Sequence, residues 1–147
     1  MEKSAKWEGK ASAKLLRPTA SEVWPLVADF FGLHKFLPAI DACFQVDTLV
    51  RHCAADAHWC RERLTAIDPA EKRLSYEVVD SNMGFKRYEA TMKVVDGGDG
   101  AGCEIEWSFV ADPVDGMSCE DLAKYVAVGL QGMARNMERE LEAQFIK

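Results

Sequence analysis

The chain has 147 residues, of which 48% are hydrophobic and 29% charged, a composition that is ordinary for a globular domain and excludes wholesale disorder. Its net charge of −6 repels phosphate backbones and argues against nucleic-acid binding. No apolar run approaches the roughly 18 residues that span a bilayer, so we expect one domain over residues 1–147 without membrane insertion.

The first elements are predicted from alternation and capping signals. Trp7 to Leu15 alternates between small or apolar and charged or polar residues, which predicts a strand with one buried face. Thr19 or Ser21 provides a cap for a short helix that ends at Gly32. A second short helix follows and is closed by Pro38.

Six further strands are predicted, over residues 42–47, 48–55, 58–67, 73–81, 85–96 and 103–111. The glycine-rich segment 97–102 precedes a strand and not a helix, which favours a hairpin over a phosphate loop. A long helix from Ser118 to Phe145 then carries one apolar stripe, formed by Leu122, Val126, Leu130, Met133, Met137 and Leu141.

The order of these elements predicts an α+β fold. Seven antiparallel strands form a curved sheet that wraps around the long C-terminal helix, and two short helices lie between strands 1 and 2. A sheet curved around a helix leaves a hollow between the two layers. We therefore expect an internal apolar cavity there.

Strand parity places three polar side chains on otherwise apolar faces, namely those of Arg51, Glu62 and Tyr88. An unpaired buried charge costs several kcal/mol or more, so these groups must be paired or hydrated. Two interpretations remain open: the three residues form a functional pocket, or Arg51 and Glu62 form a structural ion pair with Tyr88 as core. The walls of such a pocket are expected to include Phe30, Tyr76, Met92, Trp107, Phe109, Leu130, Met133 and Met137.

Metal, cofactor and location are predicted from the cysteines and histidines. The three histidines have no metal-binding spacing, and neither a metal nor a cofactor is expected. The five cysteines form no Cys-x-x-Cys pair and are expected to be small buried hydrophobes. The segment Met1 to Lys6 has no apolar core of a secretory signal, so a reduced, cytoplasmic protein is predicted.

The order and spacing of several short segments are similar to those of a known family over nearly the whole chain. The chain resembles the plant lachrymatory factor synthase-like branch of the START-like, polyketide cyclase/dehydrase superfamily, whose members have the helix-grip fold of birch pollen allergen relatives. The segments that carry the resemblance are Lys6-Trp7-x-Gly9-Lys10, Leu33-His34-Lys35-x-x-Pro38, Val50-Arg51, Trp59, Glu62-x-Leu64, Tyr88-x-Ala90-Thr91-Met92, Trp107-Ser108-Phe109 and Gly116-Met117.

The resemblance implies a catalytic set and a type of reaction. The synthase uses an arginine, a glutamate and a nearby tyrosine in its cavity, and the matching residues are Arg51, Glu62 and Tyr88. Its reaction rearranges an alkenyl sulfenic acid to a thial S-oxide by proton transfer. The loops on either side of Arg51 are shorter here and His52 replaces an expected tyrosine, so the site carries over but the substrate does not.

The function predicted from this is a cofactor-independent cyclase, dehydratase or isomerase acting on a small molecule. Glu62 is expected to act as general base and acid, Arg51 to orient a substrate oxygen and Tyr88 to donate a hydrogen bond. The alternative is a non-catalytic carrier or receptor for a lipid, hormone or secondary metabolite. In either case the expected partner is a small hydrophobic or amphipathic molecule, and the protein is expected to be a monomer or weak dimer.

Overall fold

The computed structural model describes residues 6–38, 40–98 and 101–146, without the side chains of Leu33, His34, Phe145 and Ile146. The prediction about a secretory signal falls mainly on residues 1–5, outside this part, as does the centre of the predicted glycine hairpin at residues 99–100. The elements in chain order are β1 (Trp7–Leu15), α1 (Ala20–Ala28), a 3₁₀ helix (Phe30–Lys35), β2 (Ala42–Asp47), β3 (Val50–Ala55), β4 (His58–Asp68), β5 (Arg73–Ser81), β6 (Tyr88–Asp96), β7 (Cys103–Ala111) and α2 (Cys119–Ile146).

The seven strands form one antiparallel sheet in the order β1-β7-β6-β5-β4-β3-β2. Strands β2 to β7 pair in chain order as a meander, and β1 pairs with β7 at the edge of the sheet opposite β2. The helix α2 packs across β1 and β7 on the inner face. This architecture confirms the predicted α+β class with two short helices between β1 and β2.

Both α-helices begin with reciprocal caps that the sequence signals. Thr19 accepts a hydrogen bond from the backbone N–H of Glu22, and the Glu22 carboxylate accepts one from the backbone of Thr19 at 2.9 Å. Ser118 and Asp121 form the same arrangement at the start of α2, at 3.0 and 3.1 Å. These bonds satisfy backbone donors that the first helical turn leaves free.

Two strands begin later than the sequence predicts. Residues 48 and 49 form the turn into β3 and are not strand, because the Asp47 carboxylate accepts a hydrogen bond from the backbone N–H of Thr48. Residues 85–87 precede β6 in a loop, because Gly84 adopts a left-handed φ of +83° that interrupts the extended backbone. Parity within both strands is unaffected by these later starts.

The core lies between the inner face of the sheet and the apolar stripe of α2. Alternate residues of β6 and β7 are buried from Tyr88 to Val94 and from Cys103 to Ala111. All six stripe residues predicted for α2 are buried. In the described part of the chain, no helix combines the length and apolar character needed to cross a membrane.

The segment after the 3₁₀ helix lies against a second face of α2. The side-chain amide of Asn136 donates a 3.0 Å hydrogen bond to the backbone oxygen of Phe36. Gly132 lets Pro38 approach the helix backbone closely, since a Cβ there would lie 3.1 Å from the proline ring, and Leu37 lies beside Gly129. The loop between the short helices and β2 is therefore held on α2.

Candidate functional site

Arg51 and Glu62 form an ion pair on the inner face of the sheet. They lie directly opposite each other on β3 and β4. The Nε and Nη2 atoms of Arg51 approach the same carboxylate oxygen, Oε1 of Glu62, at 2.8 and 2.7 Å. The Arg51 side chain is 3% exposed and that of Glu62 14%. The structure thus brings together the two charged residues that strand parity placed inside.

The remaining surroundings of Arg51 are also protein groups. Its Nη1 donates a 2.7 Å hydrogen bond to the backbone oxygen of Phe30. Its guanidinium carbon lies 3.8 Å from the centre of the Phe30 ring and 5.0 Å from that of Tyr76. Burial is the largest single influence and opposes the charged form, but Glu62, Tyr76 and the two cysteines Cys53 and Cys43 together outweigh it, and the pKa of Arg51 is raised. Arg51 is therefore held in place from three sides.

The second carboxylate oxygen of Glu62 is far less engaged than the first. Among the described residues its contact is the thiol of Cys60, 3.7 Å away. Burial, followed by the charge of Glu62, raises the pKa of this thiol, so Cys60 stays protonated at neutral pH. Glu62 consequently has one oxygen fixed by Arg51 and another that can accept a further hydrogen bond.

Tyr88 lies in an aromatic group on the inner face of β5, β6 and β7. Its ring stacks on Phe109 with centroids 5.8 Å apart and contacts Phe85 at 5.3 Å and Tyr76 at 6.3 Å. The Phe109 ring lies over the backbone of Gly9 in β1, where a Cβ would be 2.6 Å from it. Gly9, part of the segment Lys6-Trp7-x-Gly9-Lys10, therefore gives this ring its space.

Both tyrosine hydroxyls of this group remain neutral at physiological pH. Burial is the main cause that raises the pKa of Tyr88, and the charge of Glu62 is the second. Burial also raises the pKa of Tyr76, where Tyr88 and then Glu62 add to the effect. A protonated phenol can donate a hydrogen bond to a bound oxygen atom.

Trp107 carries a buried polar atom for which the described residues offer no partner. Its indole Nε1 makes no hydrogen bond to any residue that the structure describes, although Trp107 is only 7% exposed. Trp107 lies close to the Tyr88 hydroxyl and acts to lower its pKa, against the larger effect of burial. The two groups nevertheless do not meet in hydrogen-bond geometry. An unpaired buried donor is costly, and in native proteins it calls for an explanation such as a ligand.

The residues predicted as pocket walls all face the interior, where they are packed as core. Each belongs to the buried apolar cluster between sheet and helix, and the set comprises Phe30, Tyr76, Met92, Trp107, Phe109, Leu130, Met133 and Met137. Leu130, Met133 and Met137 have no exposed surface. These side chains form the buried layer between the sheet and α2, where the hollow was predicted.

Two pockets in the described part of the chain lie away from the polar residues, and the enclosed cavity expected around Arg51, Glu62 and Tyr88 stays a prediction. A pocket of 660 Å³ lies on the outer face of the sheet and includes Lys10, Thr65, Ser75 and Thr91. A second of 320 Å³ lies between α1, the 3₁₀ helix and Glu140 of α2. Neither is lined by Arg51, Glu62 or Tyr88, because those groups are covered by the packed core.

Two residues near Glu62 were not predicted from the sequence. Cys60 was expected to be a small buried hydrophobe of the core, but its thiol contacts Oε2 of Glu62. Tyr125 on α2 is 62% exposed, yet partial desolvation and then the charge of Glu62 raise its pKa. It lies one turn before Gly129, at the edge of the covered site. The sequence signal that could have identified Tyr125 is an aromatic residue directly before Val126, a member of the apolar stripe.

The described residues offer no evident metal centre. Within residues 6–38, 40–98 and 101–146, no group of three or more His, Cys, Asp or Glu side chains is arranged to hold a metal ion. The arrangement that remains is a carboxylate, two neutral phenols and an indole N–H in an apolar interior. Such groups can accept a proton and donate hydrogen bonds to an oxygen atom.

Comparison with known proteins identifies both a family model and related folds. The model described as "Polyketide cyclase / dehydrase and lipid transport" matches residues 12–142. The protein XoxI from Bacillus cereus is 22% identical with a TM-score of 0.79, covering 90% of this chain and 94% of that one. An uncharacterized protein from Bacillus thuringiensis is 23% identical with a TM-score of 0.79, covering 88% and 98%.

A third structure carries a superfamily name. A START superfamily protein from Mycobacterium smegmatis is 13% identical with a TM-score of 0.73, covering 93% of this chain and 98% of that one. The sheet wrapped around a C-terminal helix is thus the START-like helix-grip fold, as predicted. The three structures are bacterial, and at these identities they show the fold alone.

Proposed function

The chain belongs to the polyketide cyclase/dehydrase and lipid transport family, and from this premise we propose that it binds a small hydrophobic or amphipathic molecule bearing an oxygen function and transfers a proton on it with Glu62. The observation that carries the proposal is a pair of incompletely satisfied polar atoms in one apolar interior. These atoms are Oε2 of Glu62 and Nε1 of Trp107.

The chemistry follows from the two kinds of group. Oε2 of Glu62 accepts a proton from a carbon or hydroxyl of the bound molecule and returns it at another position. The Tyr88 hydroxyl and the Trp107 N–H donate hydrogen bonds to the oxygen on which negative charge develops. Donors held in a desolvated site stabilise such charge more strongly than water does.

Arg51 is proposed as a positioning residue and not as a direct contact of the substrate. Three of its five N–H donors are already used, two by Glu62 and one by the backbone of Phe30. Because Arg51 fixes Oε1, it aims Oε2 away from the pair. This role differs from the orientation of a substrate oxygen that the sequence led us to expect.

A ligand reaches this site by displacing side chains. Met92, Met133 and Met137 are unbranched and adapt to irregular shapes at low cost. Phe85, in the loop before β6, contacts Tyr88, and the exposed Tyr125 of α2 is near enough to Glu62 for that charge to raise its pKa. The entry route is proposed to pass between these two side chains. The proposal therefore includes a rearrangement of these side chains when the ligand binds.

The finer proposal is a lachrymatory factor synthase-like rearrangement. It rests on the match of Arg51, Glu62 and Tyr88 to the catalytic set of that branch. The first substrate to assay in that case is an alkenyl sulfenic acid generated in situ, followed by ketones and enones of the polyketide type.

A carrier without catalysis is the second candidate. The observation in its favour is that Arg51 is buried among protein groups and that neither pocket reaches the ion pair. In that case the pair is structural, and the interior opens only to hold an apolar molecule.

Hydrogen exchange of a bound ketone distinguishes the two functions without knowledge of the natural substrate. Benzylideneacetone is added in D₂O, its binding is followed by quenching of tryptophan fluorescence, and deuterium entry at its methyl group is followed by NMR. We expect the wild-type protein to accelerate exchange and Glu62→Gln to lose at least tenfold, since the amide cannot accept the proton.

Glu77→Gln is the matched control, because Glu77 is an outer-face carboxylate on the adjacent strand β5, paired with Arg63. We expect this variant to exchange as the wild type does. Binding of the enone with equal exchange in the wild-type and Glu62→Gln proteins would contradict proton transfer by Glu62 and support the carrier.

A further inference from the structure

Three cysteines form a row across the inner face of β2, β3 and β4. Cys43 lies directly opposite Cys53, and Cys53 lies directly opposite Cys60. All three are buried. The row is adjacent to the one that contains Arg51 and Glu62, but the proton transfer proposed above uses neither Cys43 nor Cys53.

The sulfur atoms of Cys43 and Cys53 are in direct contact at 2.9 Å. Directly opposed residues of antiparallel strands have Cα atoms about 4.5–5.5 Å apart, within the range that a disulfide bridges. Cys60 is oriented differently: its sulfur lies 3.7 Å from Oε2 of Glu62 and 4.0 Å from the backbone oxygen of Arg61. We propose that Cys43 and Cys53 are a redox-active dithiol that a hydroperoxide converts to a cross-strand disulfide.

The surroundings of the pair assign different roles to its two thiols. The hydrogen bond between the two thiols, in which either sulfur can be the donor, lowers the pKa of Cys43; burial opposes this and Arg51 assists it, while Glu62 and Asp29 act in the opposite sense. The same hydrogen bond and burial raise the pKa of Cys53. Cys43 also lies on the edge strand β2, whereas Cys53 lies on β3 between two strands, so a small oxidant reaches Cys43 first. Cys43 is therefore assigned as the thiolate that attacks, and Cys53 as the thiol that resolves.

The reaction balances with a peroxide as oxidant. The thiolate of Cys43 attacks one peroxide oxygen, the O–O bond breaks, and Cys43 becomes a sulfenic acid while the other oxygen leaves as water or an alcohol. The sulfur of Cys53 then attacks the sulfenic sulfur, the S–O bond breaks, and water leaves. Two thiols lose two electrons and the peroxide gains them.

The burial of Cys43 and Cys53 limits which oxidants can reach their sulfur atoms. Cys43 is 8% exposed and Cys53 6%, so a bulky protein disulfide cannot reach either sulfur. A hydroperoxide of small size needs only a brief opening of the sheet edge, and β2 is an edge strand with no neighbour beyond it in the sheet. The disulfide would tie this edge strand to β3, two residues from Arg51.

The test treats the full chain with hydrogen peroxide, stops the reaction with catalase, and maps disulfides by mass spectrometry of unreduced peptides. We expect one linkage, Cys43 to Cys53, with the thiols titrated after unfolding falling from five to three. Dithiothreitol should restore all five. No linkage, or a Cys53–Cys60 linkage as the main product, would overturn the proposal.

Variants separate this reaction from general oxidation. Cys43→Ser should slow the loss of thiols at least tenfold, and Cys43→Ala serves if the serine is not tolerated. Cys60→Ser is the matched control on the same face, and Cys103→Ser is a second control on β7; both should form the linkage at the wild-type rate. Equal rates of thiol loss in the Cys43, Cys60 and Cys103 variants would show that the Cys43–Cys53 contact confers no reactivity. That result would also overturn the proposal.

Discussion

Glu62 receives both hydrogen bonds from Arg51 on a single oxygen, Oε1, at 2.8 and 2.7 Å, and leaves Oε2 to the thiol of Cys60. A guanidinium usually binds both oxygens of a carboxylate, one with each N–H. The one-sided contact here fixes the orientation of the carboxylate and leaves its other oxygen available. The pair therefore combines a structural role for Arg51 with a chemical one for Glu62.

Breaking the pair should destabilise the fold strongly. We expect Arg51→Met to lower the free energy of unfolding by about 3–5 kcal/mol, because Glu62 then remains buried without its partner. The backbone oxygen of Phe30 also loses its donor. Urea denaturation at neutral pH measures the loss.

Two further variants show that the loss comes from the unpaired charge. Arg51→Met combined with Glu62→Leu should recover most of the stability, since apolar residues often replace a buried pair at little cost. Arg63→Met is the matched control, because Arg63 pairs with Glu77 across neighbouring strands on the outer face and is 51% exposed. It should cost less than about 1 kcal/mol. A larger loss for Arg63→Met than for Arg51→Met would contradict the prediction.

Removing the unpaired indole donor should cost little stability. Trp107→Phe loses packing volume, but it also removes a buried N–H whose missing hydrogen bond costs roughly 1–3 kcal/mol. Trp24→Phe is the control, since Trp24 is also buried and its nitrogen is not among the unpaired buried atoms. Calorimetry should show a smaller decrease in Tm for Trp107→Phe. An equal or larger decrease would mean that the indole N–H is satisfied.

Stability should fall at high pH because of the buried tyrosines. The pKa of Tyr88 is raised mainly by burial, so the unfolded chain loses this proton first. The stabilisation is complete below about pH 10, the ordinary tyrosine value, and declines as the pH rises further. Urea denaturation of wild type and Tyr88→Phe at about pH 8 and about pH 11 should show a smaller decline in the variant.

The exposed tyrosine of α2 provides the comparison for this pH dependence. Tyr125 is 62% exposed and should contribute less, so Tyr125→Phe should retain nearly the wild-type decline. If Tyr88→Phe and wild type lose the same stability between the two pH values, Tyr88 is not protected from ionisation.

Gly129 and Gly132 of α2 should respond differently to replacement by alanine. Gly129→Ala should raise Tm by roughly 2–4 °C, because alanine favours the helix by about 1 kcal/mol and the new Cβ meets Leu37 at an ordinary 3.7 Å. Gly132→Ala should give no such gain, since its Cβ would lie 3.1 Å from the Pro38 ring. Equal stabilisation by both would show that Pro38 is not held against the helix.

The sequence by itself determined the order and class of the elements. Apolar and polar residues alternate along β6 and β7, and apolar residues recur every three or four positions in α2. These patterns indicate which side chains are buried, and they can be read from neighbouring residues alone. The same parity placed Arg51, Glu62 and Tyr88 on the inner face before any contact was known. The capping pairs at Thr19 and Ser118 are equally local, because each lies within one helical turn.

Only the tertiary structure decided how these groups meet. The use of a single oxygen of Glu62, the capture of Arg51 by the backbone of Phe30, and the unpaired nitrogen of Trp107 depend on distances between strands that no periodicity encodes. The complete burial of Met133 and Met137 likewise depends on how α2 packs against the sheet. The contact of Cys43 with Cys53 depends on strand register, which pairs residues ten positions apart that the sequence shows only as isolated cysteines.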